Sequence, residues 1–337
     1  MDSYSQIVLA SRPSGPPTSQ NFRIERGEIP KPLDGQVLLG TQYLSLDPYM
    51  RGRMNDAKSY SPPVSIGGVM EGEVVATVLE SRHADYRAGD LVQGRIGWRT
   101  HAAVVASDLK RVDTGGSPLT TALGVLGMPG FTAYSGMKVI GRPKSGETVV
   151  VAAATGPVGS LVGQLAQLAG ARAIGIAGGP EKCAYLRDEL KFDGVLDHRD
   201  DKMAEQLAEL CPDGIDVYFE NVGGPIWQAV LPLLNRYARV PACGMIAYYN
   251  GQGPAEEGLL SQTMIAVVRR SLQIRGYINF EFVEEYYDEF IKELAPKVAS
   301  GRIKYREDVV SGLENAPEAF IGMLEGRNFG KLLIKVS

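Results

Sequence analysis

The chain reads as an α/β protein in two parts, a β-rich barrel-like domain followed by a doubly wound parallel sheet of six strands. Three observations predict this. The first stretch, roughly 120 residues, is rich in Gly and Pro and carries short alternating strands such as Gln36-Val-Leu-Leu-Gly40 and Gly72–Leu79. From about Gly146 apolar strands alternate with helical stretches, the pattern of parallel strands joined by crossover helices. Between the two, Val149–Gly159 runs an apolar strand straight into a Gly-containing turn that opens a helix at Ser160.

That third feature carries chemistry. A strand, a tight turn and a helix start in that order aim unpaired backbone N–H groups and the positive end of a helix dipole at one point, which suits a pyrophosphate. The spacing is Ala154-x-Gly156-x-x-Gly159, with alanine where the usual dinucleotide fingerprint has its first glycine. The context supports the reading, because a second strand at Arg172–Ala177 completes one βαβ unit of the required length. Further strands are expected at Gly194–Asp197, Ile215–Phe219, Arg239–Cys243 and Ser271–Gly276. With the first two they make a full six-stranded Rossmann sheet. Phe280–Ala299 reads as a closing helix, acidic outside and aromatic inside, and Phe329–Val336 as one more strand. That strand follows the sixth of the sheet, so it is assigned back to the first domain. The predicted division is 1–122 with 300–337 for the β-rich domain and 123–299 for the dinucleotide-binding domain.

Composition narrows the partners. At 337 residues the chain fits two domains, and 44% hydrophobic against 22% charged residues is ordinary for a soluble globular protein. Its 35 basic and 39 acidic residues leave a net charge of −4, with no electrostatic footprint for nucleic acid or an anionic membrane. A small-molecule partner is the expectation. No apolar run approaches the roughly 20 residues of a membrane span, and Met1–Gln6 lacks a secretory start. Cys183, Cys211 and Cys243 form neither a disulfide framework nor a zinc motif, which predicts small buried hydrophobes and a cytoplasmic location. His83 and His101 have no partner pattern and read as surface or satisfied core residues.

The second strand sets the expected cofactor. NAD-preferring sites place an acidic residue at its end to bind the ribose 2′-hydroxyl. Here the strand ends Ile176-Ala177-Gly178-Gly179, with Lys182 one turn further on, so nothing there repels a 2′-phosphate. NADP(H) is predicted. Gly244, after the fifth strand, lets backbone approach the cofactor.

Several segments in one order carry a family resemblance: Ser45-Leu-Asp-Pro-Tyr-Met-Arg51, Leu126-Gly-Met-Pro-Gly-Phe-Thr-Ala-Tyr134, Ala153–Gly159, Glu220-Asn-Val-Gly-Gly224, Tyr249-Asn250, Arg275-Gly-Tyr277 and Asn328-Phe-Gly-Lys331. The chain resembles the zinc-free medium-chain dehydrogenase/reductases, in the branch of leukotriene B4 12-hydroxydehydrogenase, prostaglandin reductase and alkenal double-bond reductase, with its bacterial curcumin-reductase-like members. The resemblance implies a GroES-like catalytic domain, a homodimer joined through the Rossmann edge strands, and no metal. Where zinc relatives carry Cys and His ligands, this chain has Leu46-Asp47-Pro48 and Gly68-Val-Met-Glu71. The resemblance also implies Thr132, Ala154, Gly156, Val158, Gly159, Gly178, Lys182, His198, Asn221, Gly244, Tyr249 and Asn328 as cofactor-binding residues. Asp197-His198-Arg199 departs from the family's usual Asn-Tyr-Lys, with His198 in the place of the tyrosine.

Without a metal to polarise a carbonyl, hydride goes to a carbon already made electrophilic by conjugation. Addition to the β-carbon of an enone or enal puts charge on the carbonyl oxygen, and that charge must be hydrogen-bonded and later protonated. The resemblance places a tyrosine there, assigned to Tyr249 rather than its neighbour Tyr248, with Tyr49 shaping the pocket. Arg51 is left between a structural and a substrate role. Pocket shape is expected to depend on loops around Tyr60–Val64, 250–258 and Tyr277–Phe282. The reading is therefore an NADPH-dependent enone or enal reductase, with an NADPH:quinone oxidoreductase or a non-catalytic NADPH-binding protein as alternatives.

Overall fold

The computed structural model describes residues 3–251 and 258–337. The part of the 250–258 loop at 252–257 lies outside the described residues. The chain divides into two units, one of Met1–Gly124, Tyr249–Gly251 and Glu307–Ser337, the other of Val125–Tyr248 and Gln252–Arg306.

In the second unit six parallel strands are ordered Gly194–Asp197, Arg172–Ala177, Thr148–Ala152, Ile215–Phe219, Leu234–Ala242 and Gln273–Gly276. The first strand in sequence thus lies in the middle, and the order reverses there, at the ligand-binding switch point of a doubly wound sheet. Thr148–Ala152 is buried along its whole length because helices cover both faces. The fifth strand and the closing helix are among the expected elements that differ in extent. The fifth strand starts at Leu234 rather than Arg239, and its register against the fourth shifts between Ile215↔Leu234 and Val217↔Arg239. Tyr237 makes the irregularity, with φ +67, a conformation a bulky residue rarely adopts. The closing helix starts at Val283, after a 3-10 turn over Asn279–Phe282, because the Glu281 side chain caps the Ile278 N–H at 2.8 Å.

The β-rich unit holds a seven-stranded sheet and the hairpin Ser3–Leu9/Phe22–Glu28. Its core centres on Trp98, stacked on Phe22 at 5.7 Å and met edge-on by Phe320 at 5.6 Å. The tail strand Lys331–Lys335 pairs antiparallel with Gln36–Ser45. Residues 300–306, by contrast, go with the dinucleotide-binding unit: Ile303 is buried in its core, and Gln164 exchanges two 2.8 Å hydrogen bonds with the Lys304 backbone. No helix among the described residues is long and apolar enough to cross a membrane.

Candidate active site

The turn after Ala152 is built for close backbone approach. Ala153 adopts φ +50, a left-handed conformation that an L-residue holds at a cost, and Gly156 donates its N–H back to the Ala153 carbonyl at 3.0 Å. The helix Pro157–Leu168 follows directly. A Cβ at Gly159 would lie 2.5 Å from the Ala153 oxygen and 2.8 Å from the Ala154 Cα, so only glycine lets this helix seat on the turn. No side chain caps the helix start, and Pro157 fills its first turn. The N–H groups of Val158 and Gly159 thus meet the helix dipole with no capping side chain in competition, which fits a diphosphate.

The ends of the second and third strands meet beside this turn. His198 donates its backbone N–H to the Ala177 carbonyl at 2.9 Å. A Cβ at Gly178 would lie 2.6 Å from His198 Nε2 and 3.3 Å from Arg199 Nε, and one at Gly179 would lie 3.1 Å from Arg199 Nη1. The space left by the two glycines is therefore taken by an imidazole and a guanidinium. Partial burial lowers the His198 pKa; Arg199 and Lys182 push the same way, and Asp197 opposes them. The Asp197 carboxylate accepts the Arg199 N–H at 3.0 Å; such backbone bonds hold its pKa below the ordinary value despite the opposing effect of burial. Lys182 lies partly buried in the short helix Pro180–Ala184.

Asn221 ties strand ends together. Its Nδ2 donates to the Ala152 carbonyl at 2.9 Å, and its Oδ1 accepts the Cys243 thiol at 2.8 Å. Gly244 approaches the same place, its N–H 3.3 Å from the Glu220 carbonyl. Thr132, on the helix Met128–Ser135, accepts Asn279 Nδ2 on its hydroxyl at 3.0 Å and the Tyr277 hydroxyl on its carbonyl at 2.7 Å. Tyr277 and Asn279 follow the sixth strand, so Thr132 is held at the carboxyl edge as well. Neither they nor Glu220 stand out individually in the sequence. Tyr277 lies inside the Arg275-Gly-Tyr277 motif, and its place one residue past a strand end is the available signal. Tyr248 serves the backbone, since its hydroxyl accepts the Gly224 N–H at 3.1 Å.

The remaining expected residues lie in the β-rich unit. Tyr49 opens the helix Tyr49–Arg53, and burial, aided by Asp47, pushes its hydroxyl well above the usual range. Arg51 is buried and donates to Asn55 Oδ1 at 2.6 Å and to the Gly15 carbonyl at 2.7 Å. Asn328 donates to the Gly330 carbonyl at 2.9 Å within its own turn. Tyr249, expected with the dinucleotide-binding domain, is counted with the β-rich unit. Among the described residues no group of three or more His, Cys, Asp or Glu side chains converges as a metal site would require.

Two family models match, the N-terminal domain of oxidoreductase over residues 5–112 and zinc-binding dehydrogenase over residues 157–295. The chain is 51% identical to the NADPH-dependent curcumin reductase of Escherichia coli, covering 98% of this chain and 96% of that one. It is 36% identical to a 2-alkenal reductase (NADP(+)-dependent) of Nicotiana tabacum, over 99% and 98% of the two chains. Among solved structures, CurA from Vibrio vulnificus in complex with NADPH superposes with a TM-score of 0.93 at 49% identity, covering 99% of each chain. The chain belongs to the zinc-free medium-chain dehydrogenase/reductases, in the branch of the prostaglandin, curcumin and alkenal double-bond reductases.

Proposed function

We propose that this protein is an NADPH-dependent, metal-independent reductase that adds hydride to the β-carbon of α,β-unsaturated ketones or aldehydes. The observation that carries the reading is the carboxyl edge of the parallel sheet. There a Gly159-seated turn meets a second strand that ends in two glycines under His198 and Arg199, with no acidic residue at its own end. The relatives' chemistry supports it, one named for curcumin and one for 2-alkenals. The bound cofactor supplies the hydride. The protein holds the pyrophosphate at Ala154, Gly156, Val158 and Gly159 and pairs the 2′-phosphate with Lys182, His198 and Arg199. It also stabilises the enolate oxygen with the Tyr249 hydroxyl. Asn221, Gly244, Thr132 and Asn328 complete the cofactor site, and Tyr49 the substrate pocket.

Oxidation of NADPH, followed spectroscopically against enals, enones and quinones with NADH in parallel, tests this. Turnover of enones and enals with a preference for NADPH is expected; turnover of quinones alone, or none at all, contradicts it.

We also propose a homodimer joined through the strand Gln273–Gly276, which is exposed along its length at the sheet edge. Leu260 and Val268, about three-quarters exposed on the helix Leu259–Arg270, supply apolar surface on the same unit. Light scattering is expected to return twice the mass of one chain, and a single-chain mass contradicts the proposal.

A further inference from the structure

Glu220 directly follows the fourth strand, Ile215–Phe219, and is 4% exposed. A carboxyl removed from water costs several kcal/mol by order of magnitude unless it is bonded, so its partners show what it is for. One oxygen, Oε1, accepts the N–H of Val222 at 2.6 Å, the N–H of Gly223 at 2.8 Å and the Tyr218 hydroxyl at 3.2 Å. Tyr218 is itself fully buried, so the carboxyl is pinned from inside the sheet while it gathers the amides of the turn above it.

That turn takes a shape few residues adopt. Gly223 and Gly224 have φ +78 and +59, and a Cβ at Gly223 would lie 2.7 Å from both the Met245 Cε and the Tyr248 ring. Two consecutive positive-φ residues point successive amides in unusual directions, and each amide needs its own acceptor. Glu220 takes those of Val222 and Gly223, and the Tyr248 hydroxyl takes that of Gly224. The turn is then tied to the segment after the fifth strand, with Ile246 N–H on the Asn221 carbonyl at 3.2 Å and Ala247 N–H on the Val222 carbonyl at 3.1 Å. Burial raises the Glu220 pKa, and the N–H bonds pull it back. Either protonation state keeps an acceptor at Oε1.

We propose that Glu220 is a positioning residue of the cofactor site: its buried carboxyl builds the Asn221–Gly224 turn and thereby sets Asn221 and the Ile246–Tyr248 segment against the nicotinamide half of the cofactor. The inference rests on the NADPH reading above. Glu220 touches neither cofactor nor substrate and acts through the turn. Because the fourth and fifth strands serve the half common to both nicotinamide cofactors, its loss should affect NADPH and NADH alike, unlike loss of a 2′-phosphate contact.

The test is equilibrium titration of NADPH and NADH, read by protein fluorescence, with the variants E220A, E220Q and Y248F. E220A should weaken both cofactors by the same factor, about tenfold for the loss of the two hydrogen bonds that hold the turn amides. E220Q, which keeps an acceptor oxygen, should restore binding to within about threefold of the parent. An E220A protein that binds both cofactors as the parent does, while only melting earlier, overturns the proposal. So does weakening confined to NADPH. If E220A does not fold, Y248F decides, since it removes the acceptor of Gly224 alone: equal weakening of both cofactors supports the role, and unchanged binding overturns it. A parent protein that binds neither cofactor overturns the NADPH reading itself, and this inference with it.

Discussion

Lys331 donates to Asp47 Oδ1 at 2.7 Å, across 284 residues of sequence, with both side chains almost fully buried. Its ammonium also donates to the Leu46 carbonyl at 2.7 Å, and the Ser45 hydroxyl donates to the second Asp47 oxygen. The pair pins the last strand to the segment that leads into Pro48 and Tyr49. Lys331→Met should destabilise the protein by about 3–5 kcal/mol, because it leaves a carboxylate buried without its cation. Lys331→Met with Asp47→Asn together should cost clearly less than the sum of the two single changes. Urea melts of the four proteins check this; additive losses would show that the two residues do not act as a pair.

Lys182→Ala should raise the Michaelis constant for NADPH by about tenfold while leaving that for NADH nearly unchanged. That size corresponds to one charge-assisted hydrogen bond at a partly exposed site, where solvent screening trims its value. Initial-rate kinetics with both cofactors check it. Equal effects on the two would remove Lys182 from the 2′-phosphate.

His198 gives the protein a pH signature. Its folded pKa lies below the ordinary histidine value of 6.5, chiefly through partial burial of the ring. The unfolded chain then binds more protons in that window, so stability rises with pH there. The contribution is present above pH 6.5 and is lost as pH falls through the depressed folded value. His198→Gln should flatten the dependence of melting temperature on pH just below 6.5. An unchanged slope would show that the ring carries no such linkage.

Much of this is legible in the sequence, and the failures have particular causes. The strands Arg172–Ala177, Gly194–Asp197 and Ile215–Phe219 fall where their apolar runs put them, because buried parallel strands leave a near-continuous signal. The fifth strand reads short because Asn235-Arg236-Tyr237 looks polar and its irregularity depends on a positive φ at a tyrosine, which no residue type announces. Glu220 reads as part of a motif and nothing more, since a glutamate at a strand end looks the same whether it meets solvent or two backbone amides. Sequence does not decide Arg51, because its partners Gly15 and Asn55 lie in irregular backbone. The Lys331–Asp47 pair is a product of topology alone.

Tyr249→Phe should lower the turnover number by about 10- to 100-fold, with a smaller effect on NADPH binding. Only stabilisation specific to the transition state accelerates the step, and removing one such donor elsewhere costs ~10²–10³. A smaller loss is expected here because the 2′-hydroxyl of the nicotinamide ribose, with NADPH bound, would offer the enolate oxygen a second donor. Single-turnover rates on an enone check it, and an unchanged rate would leave Tyr249 as a pocket wall.

The proposed reaction turns on the carbon that receives the hydride. NADPH carrying deuterium at the transferable position should be turned over with a simple enone, and the product examined by proton and deuterium NMR. A saturated ketone with deuterium on the β-carbon and a proton from solvent on the α-carbon is expected. Deuterium on the carbinol carbon of an allylic alcohol would show carbonyl reduction instead and would contradict the proposed reaction.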